Sequence, residues 1–445
     1  MRKRKLKLRD WQISGNVELR RVRLPPQTLD NCAGCGAYKP KGRKLCACNE
    51  ATYCSADCQR EDRRLHKSTC VPTPHVDLTS FYPLLALLVD ISHGHPSKPY
   101  HHAFDKSIVN DPRPGSNPVY FDDGWEANPV ILMSKGRLPR PLLPSSLSQW
   151  WPQVTPTQVI PPPIRRKLYL RILREGYVLP ILTSVCVALL SEAYTRGTHA
   201  PRLRYKTGTV ADFGIVSGSA RVTNQDKLGY VDMDVDPTRQ TRGQDPEDHY
   251  WIYFRTVRGE ELTLDCAMFT FSMNMVVTID PYVPRQWGEE ARGGGAVPGY
   301  FQAREIRQTL PVTLHTERTR KSIMRNVGLQ TAVARGSVGS APEELFNHTD
   351  DERAVTNFMA DLAGRTIAPE ETKLAMDLVR GHTLTLREVF EDEEWRQYPE
   401  EPQLGVMDDP GELDEFDKRK DAWWRRQMRE QKRLRQQGGK KSKHA

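Results

Sequence analysis

Apolar residues follow two kinds of pattern between residues 81 and 284. "SFYPLLALLVDIS" and "PILTSVCVALLSEAYTRG" are long apolar runs and predict helices. Four later stretches are enriched in β-branched and aromatic residues and predict strands: "RLRYKTGTVADFGIVSGSARV", "HYWIYFRTV", "EELTLDCAMFTFSM" and "VVTID". "VRGEE" connects the second of these stretches to the third and predicts a hairpin turn. Helices followed by an antiparallel run of strands indicate an α+β domain.

The segments around this domain differ from it in composition. Prolines are frequent from residue 110 to 163, which predicts an irregular stretch. "DERAVTNFMADLAG" and "PEETKLAMDLVRGH" have helical spacing, and the second helix is expected to end at Gly381. We therefore divide the chain into a basic N-terminal arm (1–27), a cysteine-rich unit (28–74), an α+β domain (75–335, irregular at 110–163), a helical segment (336–388), an acidic linker (389–417) and a basic C-terminal helix or tail (418–445).

Charge is unevenly distributed along the 445 residues, whose formal net charge is +9. Nine Lys or Arg residues lie between positions 2 and 23, and residues 418–445 carry twelve more. Residues 389–417 carry twelve Asp or Glu against one Arg. The basic ends favour an anionic partner or a nuclear address, and nucleic-acid binding through them is one alternative function.

No segment has the length and composition expected of a membrane span. The basic start is not followed by an apolar stretch, so it does not resemble a secretory signal. The longest apolar run, residues 177–191, contains Pro180 and is shorter than the roughly 20 residues that a span needs. We expect a soluble intracellular protein, nuclear or cytoplasmic.

Seven of the nine cysteines lie between Cys32 and Cys70. Disulfides are rare in reducing compartments, so clustered cysteines there indicate metal ligands. With one histidine, they form four closely spaced pairs: Cys32 and Cys35, Cys46 and Cys48, Cys54 and Cys58, His66 and Cys70. Eight ligands fill two tetrahedral zinc sites. The spacing alone permits either sequential or interleaved sites.

The local sequence supports this interpretation. "SADCQREDRRLHK" predicts a helix with Ser55 as its N-cap, and the helix dipole favours a thiolate at Cys58 in the first turn. Too few apolar residues lie between positions 28 and 74 to form a core. Zinc is therefore expected to be required for this unit to fold.

The pattern of C-x2-C, a cysteine pair, "YCSADCQ" and H-x3-C resembles the MYND zinc finger. The resemblance implies interleaved sites, with Cys32, Cys35, Cys54 and Cys58 on one zinc ion and Cys46, Cys48, His66 and Cys70 on the other. It also implies a protein-binding module that takes proline-rich segments. Two positions depart from the family pattern: the second pair is the tighter Cys46-Ala47-Cys48, and Arg63 replaces a common tryptophan. "IPPPI", residues 160–164, resembles such a proline-rich segment and is a conceivable ligand within the chain.

The middle region faintly resembles the transglutaminase-like cysteine hydrolases. Cys186 lies in a predicted helix, His249 opens "HYWIYF", and Asp265 lies in "ELTLDC". The resemblance implies Cys186 as nucleophile, His249 as base and Asp265 as the group that orients the base. The alternative is that Cys186, in an apolar helix, belongs to the core.

These observations together predict a small zinc-stabilised MYND-like finger, an α+β domain and a helical, charged C-terminal extension. The chain as a whole resembles uncharacterised fungal MYND finger proteins. The predicted function is non-enzymatic protein–protein interaction that depends on two zinc ions. Cysteine acyl transfer through Cys186, His249 and Asp265 is the alternative enzymatic function.

Overall fold

The computed structural model describes residues 22–407, with gaps at 39–41, 43, 47, 49, 68–69, 71–73, 113–116, 135–149, 152–159, 161, 196–200, 236–239, 289–294, 304–313 and 336–344. Most of the predicted basic arm and the whole basic tail lie outside the described residues. The helices are α1 Ala56–His66, α2 Leu78–Ser92, α3 Pro162–Leu173, α4 Val178–Tyr194, α5 Val327–Arg335, α6 Thr349–Ala363 and α7 Pro369–Glu391.

The strands are β1 Lys44–Leu45, β2 Thr52–Tyr53, β3 His75–Asp77, β4 Lys106–Ile108, β5 Val119–Tyr120, β6 Glu126–Ser134, β7 Arg202–Tyr205, β8 Gly208–Ala220, β9 Leu228–Asp232, β10 Gln240–Arg242, β11 His249–Thr256, β12 Glu261–Asp265, β13 Met275–Thr278, β14 Ala296–Pro298, β15 Tyr300–Ala303, β16 His315–Ser322 and β17 Leu404–Val406. Helices and sheets thus form a mixed domain next to the N-terminal cysteine-rich unit.

The main sheet has seven strands in the order β15-β12-β11-β8-β7-β3, and β16 also pairs with β8. Its pairs are antiparallel, except that β3 runs parallel to β7. A tight turn joins β11 to β12, where the N–H of Thr256 donates to the carbonyl of Glu260 and Gly259 adopts a positive φ of 84°. The predicted hairpin is therefore present.

Alternation along the strands gives this sheet two different faces. On β11, Tyr250, Ile252 and Phe254 point into the main hydrophobic core, together with the helices. Trp251 and Tyr253 point the other way and form a separate small cluster. The second face carries much of the polar chemistry described below.

The helices cover the first face. Every residue of α4 is buried, which explains why its sequence is apolar on all sides. Helix α7 packs against it and continues to Glu391, so the predicted end at Gly381 is wrong. The apolar stripe extends beyond this glycine through the buried Leu386 and Phe390, and the Phe390 ring stacks on Phe81 at 5.6 Å.

The described part of the proline-rich region contains regular structure that its composition did not predict. Within it β6 is a nine-residue strand that pairs in parallel with β9, in a second sheet of order β10-β9-β6-β4. Ile160 and Ile164 are buried against Trp150 in a second core cluster. The ends of "IPPPI" are therefore part of the core, and Pro162 and Pro163 lie in the first turn of α3, so the described part of the motif does not have the extended conformation of a proline-rich ligand.

The described part of the predicted acidic linker, residues 389–407, also has defined contacts. β17 pairs with β13, and the buried Glu394 accepts a hydrogen bond from the backbone N–H of Arg285 at 3.3 Å. Among the described helices none is by itself long and apolar enough to cross a membrane; α3 and α4 meet the length and composition test only as a pair, bent by 76°.

Candidate metal centres

Short elements bring the eight predicted ligands together. Cys32 and Cys35 lie in a tight turn closed by a 2.8 Å bond from the N–H of Gly36 to the carbonyl of Cys32. In this turn Gly34 packs directly on Cys58, because a Cβ atom at Gly34 would lie 2.6 Å from the Cys58 carbonyl oxygen. Only glycine allows this approach.

Helix α1 carries two of the ligands and positions a third just beyond its end. Ser55 is its N-cap and accepts a 3.1 Å hydrogen bond from the N–H of Cys58, as predicted. His66 is its last residue, and the N–H of Cys70 donates to the carbonyl of His66 at 2.7 Å. One helix therefore presents Cys58 at its start to one group of ligands and His66 at its end to the other.

The first group consists of Cys32, Cys35, Cys54 and Cys58, whose sulfur atoms all lie within 4.8 Å of one another. The Sγ atoms of Cys35 and Cys54 are 3.6 Å apart, and those of Cys54 and Cys58 are 3.4 Å apart. Two sulfurs bound to one tetrahedral zinc ion at about 2.3 Å lie about 3.8 Å apart. The observed separations fit this geometry within a few tenths of an ångström.

The second group consists of Cys46, Cys48, His66 and Cys70. Nε2 of His66 lies 3.4 Å from Sγ of Cys46 and 3.3 Å from Sγ of Cys48, and the sulfurs of Cys46 and Cys70 are 3.3 Å apart. The two zinc sites are thus interleaved. This resolves the alternative that spacing left open.

Backbone hydrogen bonds lower the pKa of one cysteine in each group. At Cys32 burial opposes ionisation, but the N–H groups of Cys35, Cys54 and Gly34 lower the pKa to about 6. At Cys46 burial also opposes ionisation, but the N–H of Cys48 and contacts with Cys70 and His66 lower the pKa of the thiol to about 7. Burial and the nearby Cys46 raise the pKa of Cys48 to about 12, so a second thiolate requires a cation.

The residues of the predicted cysteine hydrolase are only partly brought together. Nε2 of His249 lies 2.6 Å from Oδ2 of Asp265, and both side chains are buried. Cys186 is instead packed in the main core, where burial raises the pKa of its thiol. Tyr250 and Cys266, the neighbours of His249 and Asp265, belong to that same core. Since neighbouring residues of a strand face opposite sides, Cys186 lies on the other side of the sheet from the His249–Asp265 pair.

A third residue joins this pair that no pattern in the sequence indicated. His315, the first residue of β16, places its Nε2 2.6 Å from the same Oδ2 of Asp265. It follows a stretch with no recognisable motif and lies 50 residues from Asp265 in the sequence. Detecting it would have required recognising "HTERTRKS" as a strand. The residues of this segment are almost all polar, so it lacks the apolar alternation that predicts a strand.

Comparison with known proteins supports the assignment of the first two centres. Residues 32–70 match the family model of the MYND finger. No curated protein and no solved structure matched the chain. Residues 32–70 are therefore a MYND finger, a zinc-binding protein-interaction module, and its two groups of four ligands hold two zinc ions.

Proposed function

We propose that this protein is a non-enzymatic adaptor whose finger (residues 32–70) binds a proline-rich segment of another protein. The observation that carries this proposal is the saturation of both zinc sites. Each has four protein ligands, and a four-coordinate zinc ion has no position left for water or a substrate. The metal then fixes the shape of the finger, and the exposed side chains determine what it binds.

The finger exposes side chains suited to this purpose. Tyr38 is 68 % exposed and Leu45 is 39 % exposed, although both are large apolar residues. Helix α1 adds the exposed Arg60, Arg63 and Arg64. An exposed tyrosine supplies a flat apolar surface with a polar end, which is how aromatic-lined grooves hold the extended helix of proline-rich peptides. We therefore place Tyr38 at the centre of the binding surface.

The test uses the full-length, zinc-loaded protein on an array of proline-rich peptides, each paired with a copy in which alanine replaces every proline. Peptides that bind only with their prolines intact are then titrated by fluorescence anisotropy. We expect Tyr38→Ala to weaken binding at least tenfold, which corresponds to about 1.4 kcal/mol, the size of a typical interface anchor. Tyr120→Ala is the matched control, because Tyr120 is 61 % exposed on β5, outside the finger.

A second variant tests the position at which the finger departs from its family. Arg63→Trp adds an aromatic surface on the exposed side of α1, so it should tighten proline-dependent binding, whereas Arg60→Trp, three residues earlier on the same helix, should not. The proposal fails if no peptide on the array requires its prolines, or if Tyr38→Ala and Tyr120→Ala bind equally well. It also fails if binding survives removal of zinc.

A further inference from the structure

The second face of the main sheet carries a cluster of two histidines and one aspartate that the finger does not explain. His249 is the first residue of β11, Asp265 the last of β12 and His315 the first of β16. Strands β12, β11, β8 and β16 are consecutive neighbours in the sheet. Three separate strands therefore deliver the three side chains to one point.

Strand β8, which runs between the two histidine strands, leaves room for this convergence. Its residue opposite His249 is Gly218, which has no side chain. A Cβ atom there would lie 2.1 Å from the carbonyl oxygen of Thr316 and 2.7 Å from the Trp251 ring. Because Gly218 lets β16 approach closely, the rings of His249 and His315 lie 5.7 Å apart and nearly parallel, at 11°.

The donor atoms converge as metal ligands do. Nε2 of each histidine lies 2.6 Å from Oδ2 of Asp265. The side chains of His249, Asp265 and His315 are 1 %, 0 % and 4 % exposed. The other carboxylate oxygen, Oδ1, accepts hydrogen bonds from the backbone N–H groups of Ala267 at 2.8 Å and Met268 at 3.2 Å. These two bonds fix the carboxylate so that Oδ2 faces both imidazoles.

Aromatic side chains lie beside the cluster. The Trp251 ring lies 4.7 Å from that of His315, and the Phe271 ring lies 6.0 Å from that of His249. Although burial opposes it, the two histidines hold the pKa of Asp265 well below its usual range. The aspartate is therefore held as a carboxylate between two imidazole nitrogens.

We propose that His249, Asp265 and His315 form a third metal site, which binds a divalent transition metal ion through two imidazole nitrogens and one carboxylate oxygen. Two histidines and one carboxylate are the donor set of many zinc and non-haem iron sites. Ligands about 2.0–2.1 Å from a tetrahedral ion lie about 3.3 Å apart, so each N–O separation must widen by about 0.7 Å. Loading also moves the Nε2 protons: each coordinating imidazole keeps its proton on Nδ1, and any excess proton is released to solvent.

This site differs from those in the finger in one respect that matters for chemistry. Three protein ligands leave the fourth position of a tetrahedral ion to water or to an external ligand. The finger sites, by contrast, are closed. The proposal is independent of the proposed adaptor function and would stand if that function proved wrong.

The test begins with full-length protein in which zinc already fills the finger. After dialysis against buffer containing micromolar Co²⁺, metal analysis is expected to give one cobalt and two zinc ions per chain. The cobalt should show d–d absorption without a thiolate charge-transfer band, because its ligands are nitrogen and oxygen. His315→Gln should lose the cobalt and keep both zinc ions, whereas His348→Gln, at an exposed histidine before α6, should keep all three.

Three results would overturn the proposal. The first is wild-type protein that takes up no third ion. The second is cobalt with a thiolate band and a matching loss of zinc, since it would then occupy the finger. The third is His315→Gln with full cobalt content. The cobalt content and spectrum of the wild-type protein decide the question even if His315→Gln does not fold, and the cluster would then be a hydrogen-bonded pair of histidines around one aspartate.

Discussion

His382 joins three helices and should make the stability of the domain depend on pH. It lies on α7, with Nε2 3.0 Å from Oγ of Ser92 on α2 and Nδ1 3.2 Å from Oγ of Ser184 on α4. The side chain is buried, and this burial, together with the positive charge of His95 when protonated, lowers the pKa of His382 to about 3.

The magnitude follows from the difference between folded and unfolded states. An unfolded histidine has a pKa of about 6.5 and takes up a proton as the pH falls below that value, whereas the folded protein does not protonate His382 until the pH approaches 3. The stabilisation is therefore complete above pH 6.5 and is lost as the pH falls towards 3. At about 1.36 kcal/mol per pH unit, His382 should cost about 2 kcal/mol between pH 7 and pH 5.

Urea unfolding of wild type and His382→Gln at pH 7 and pH 5 measures this contribution. Glutamine can still bond to the two serines but does not titrate. The loss of free energy of unfolding on acidification should be about 2 kcal/mol smaller in the variant. His348→Gln, at an exposed site, should behave as wild type. Identical losses in wild type and His382→Gln would refute the reasoning, since all other titrating groups and the zinc sites are common to both proteins.

Two further predictions concern the finger and the main sheet. Removal of zinc should abolish hydrogen-exchange protection in residues 32–70 and leave α4 protected. Among the described residues of the finger, Ala51 and Tyr53 are the only buried apolar side chains other than cysteines, whereas a structural zinc ion contributes about 10–16 kcal/mol. Protection that persists in the finger after chelation would contradict this. Gly218→Ala should lower the free energy of unfolding by about 3 kcal/mol through its clash with β16, whereas Gly381→Ala, within α7 and open to space, should raise it by about 0.5–1 kcal/mol. Urea unfolding compares the two variants, and equal effects would show that the approach of β16 does not depend on Gly218.

The finger could be predicted from sequence because its ligands are close together in the chain. All eight lie in residues 32–70, and zinc imposes short spacings on residue types that are rarely clustered for another reason. Spacing did not decide between sequential and interleaved sites. Pairing through helix α1, which carries Cys58 at one end and His66 at the other, is a property of the folded chain.

Elsewhere in the chain, the sequence predicted the presence of helices and strands better than the residues at which they end. Gly381 predicts the end of a helix, but the packing of Leu386 and Phe390 outweighs the roughly 1 kcal/mol cost of one glycine. Prolines from residue 110 to 163 suggested an irregular chain, yet β6 tolerates Pro129 as a paired residue of a strand. In both cases tertiary packing outweighs a local preference.

Strand alternation in the folded sheet separates the residues of the predicted hydrolase. In "HYWIYF", Tyr250, Ile252 and Phe254 are the apolar residues of one parity, so they face the core that contains α4 and Cys186. His249 has the other parity and must face away from that helix. Because Trp251 and Tyr253 make the other parity apolar as well, the sequence alone does not decide which face of the strand meets α4. The partner that His249 does have, His315, was not accessible from sequence either, because its position depends on the register of β16 on β8 and on the absent side chain of Gly218.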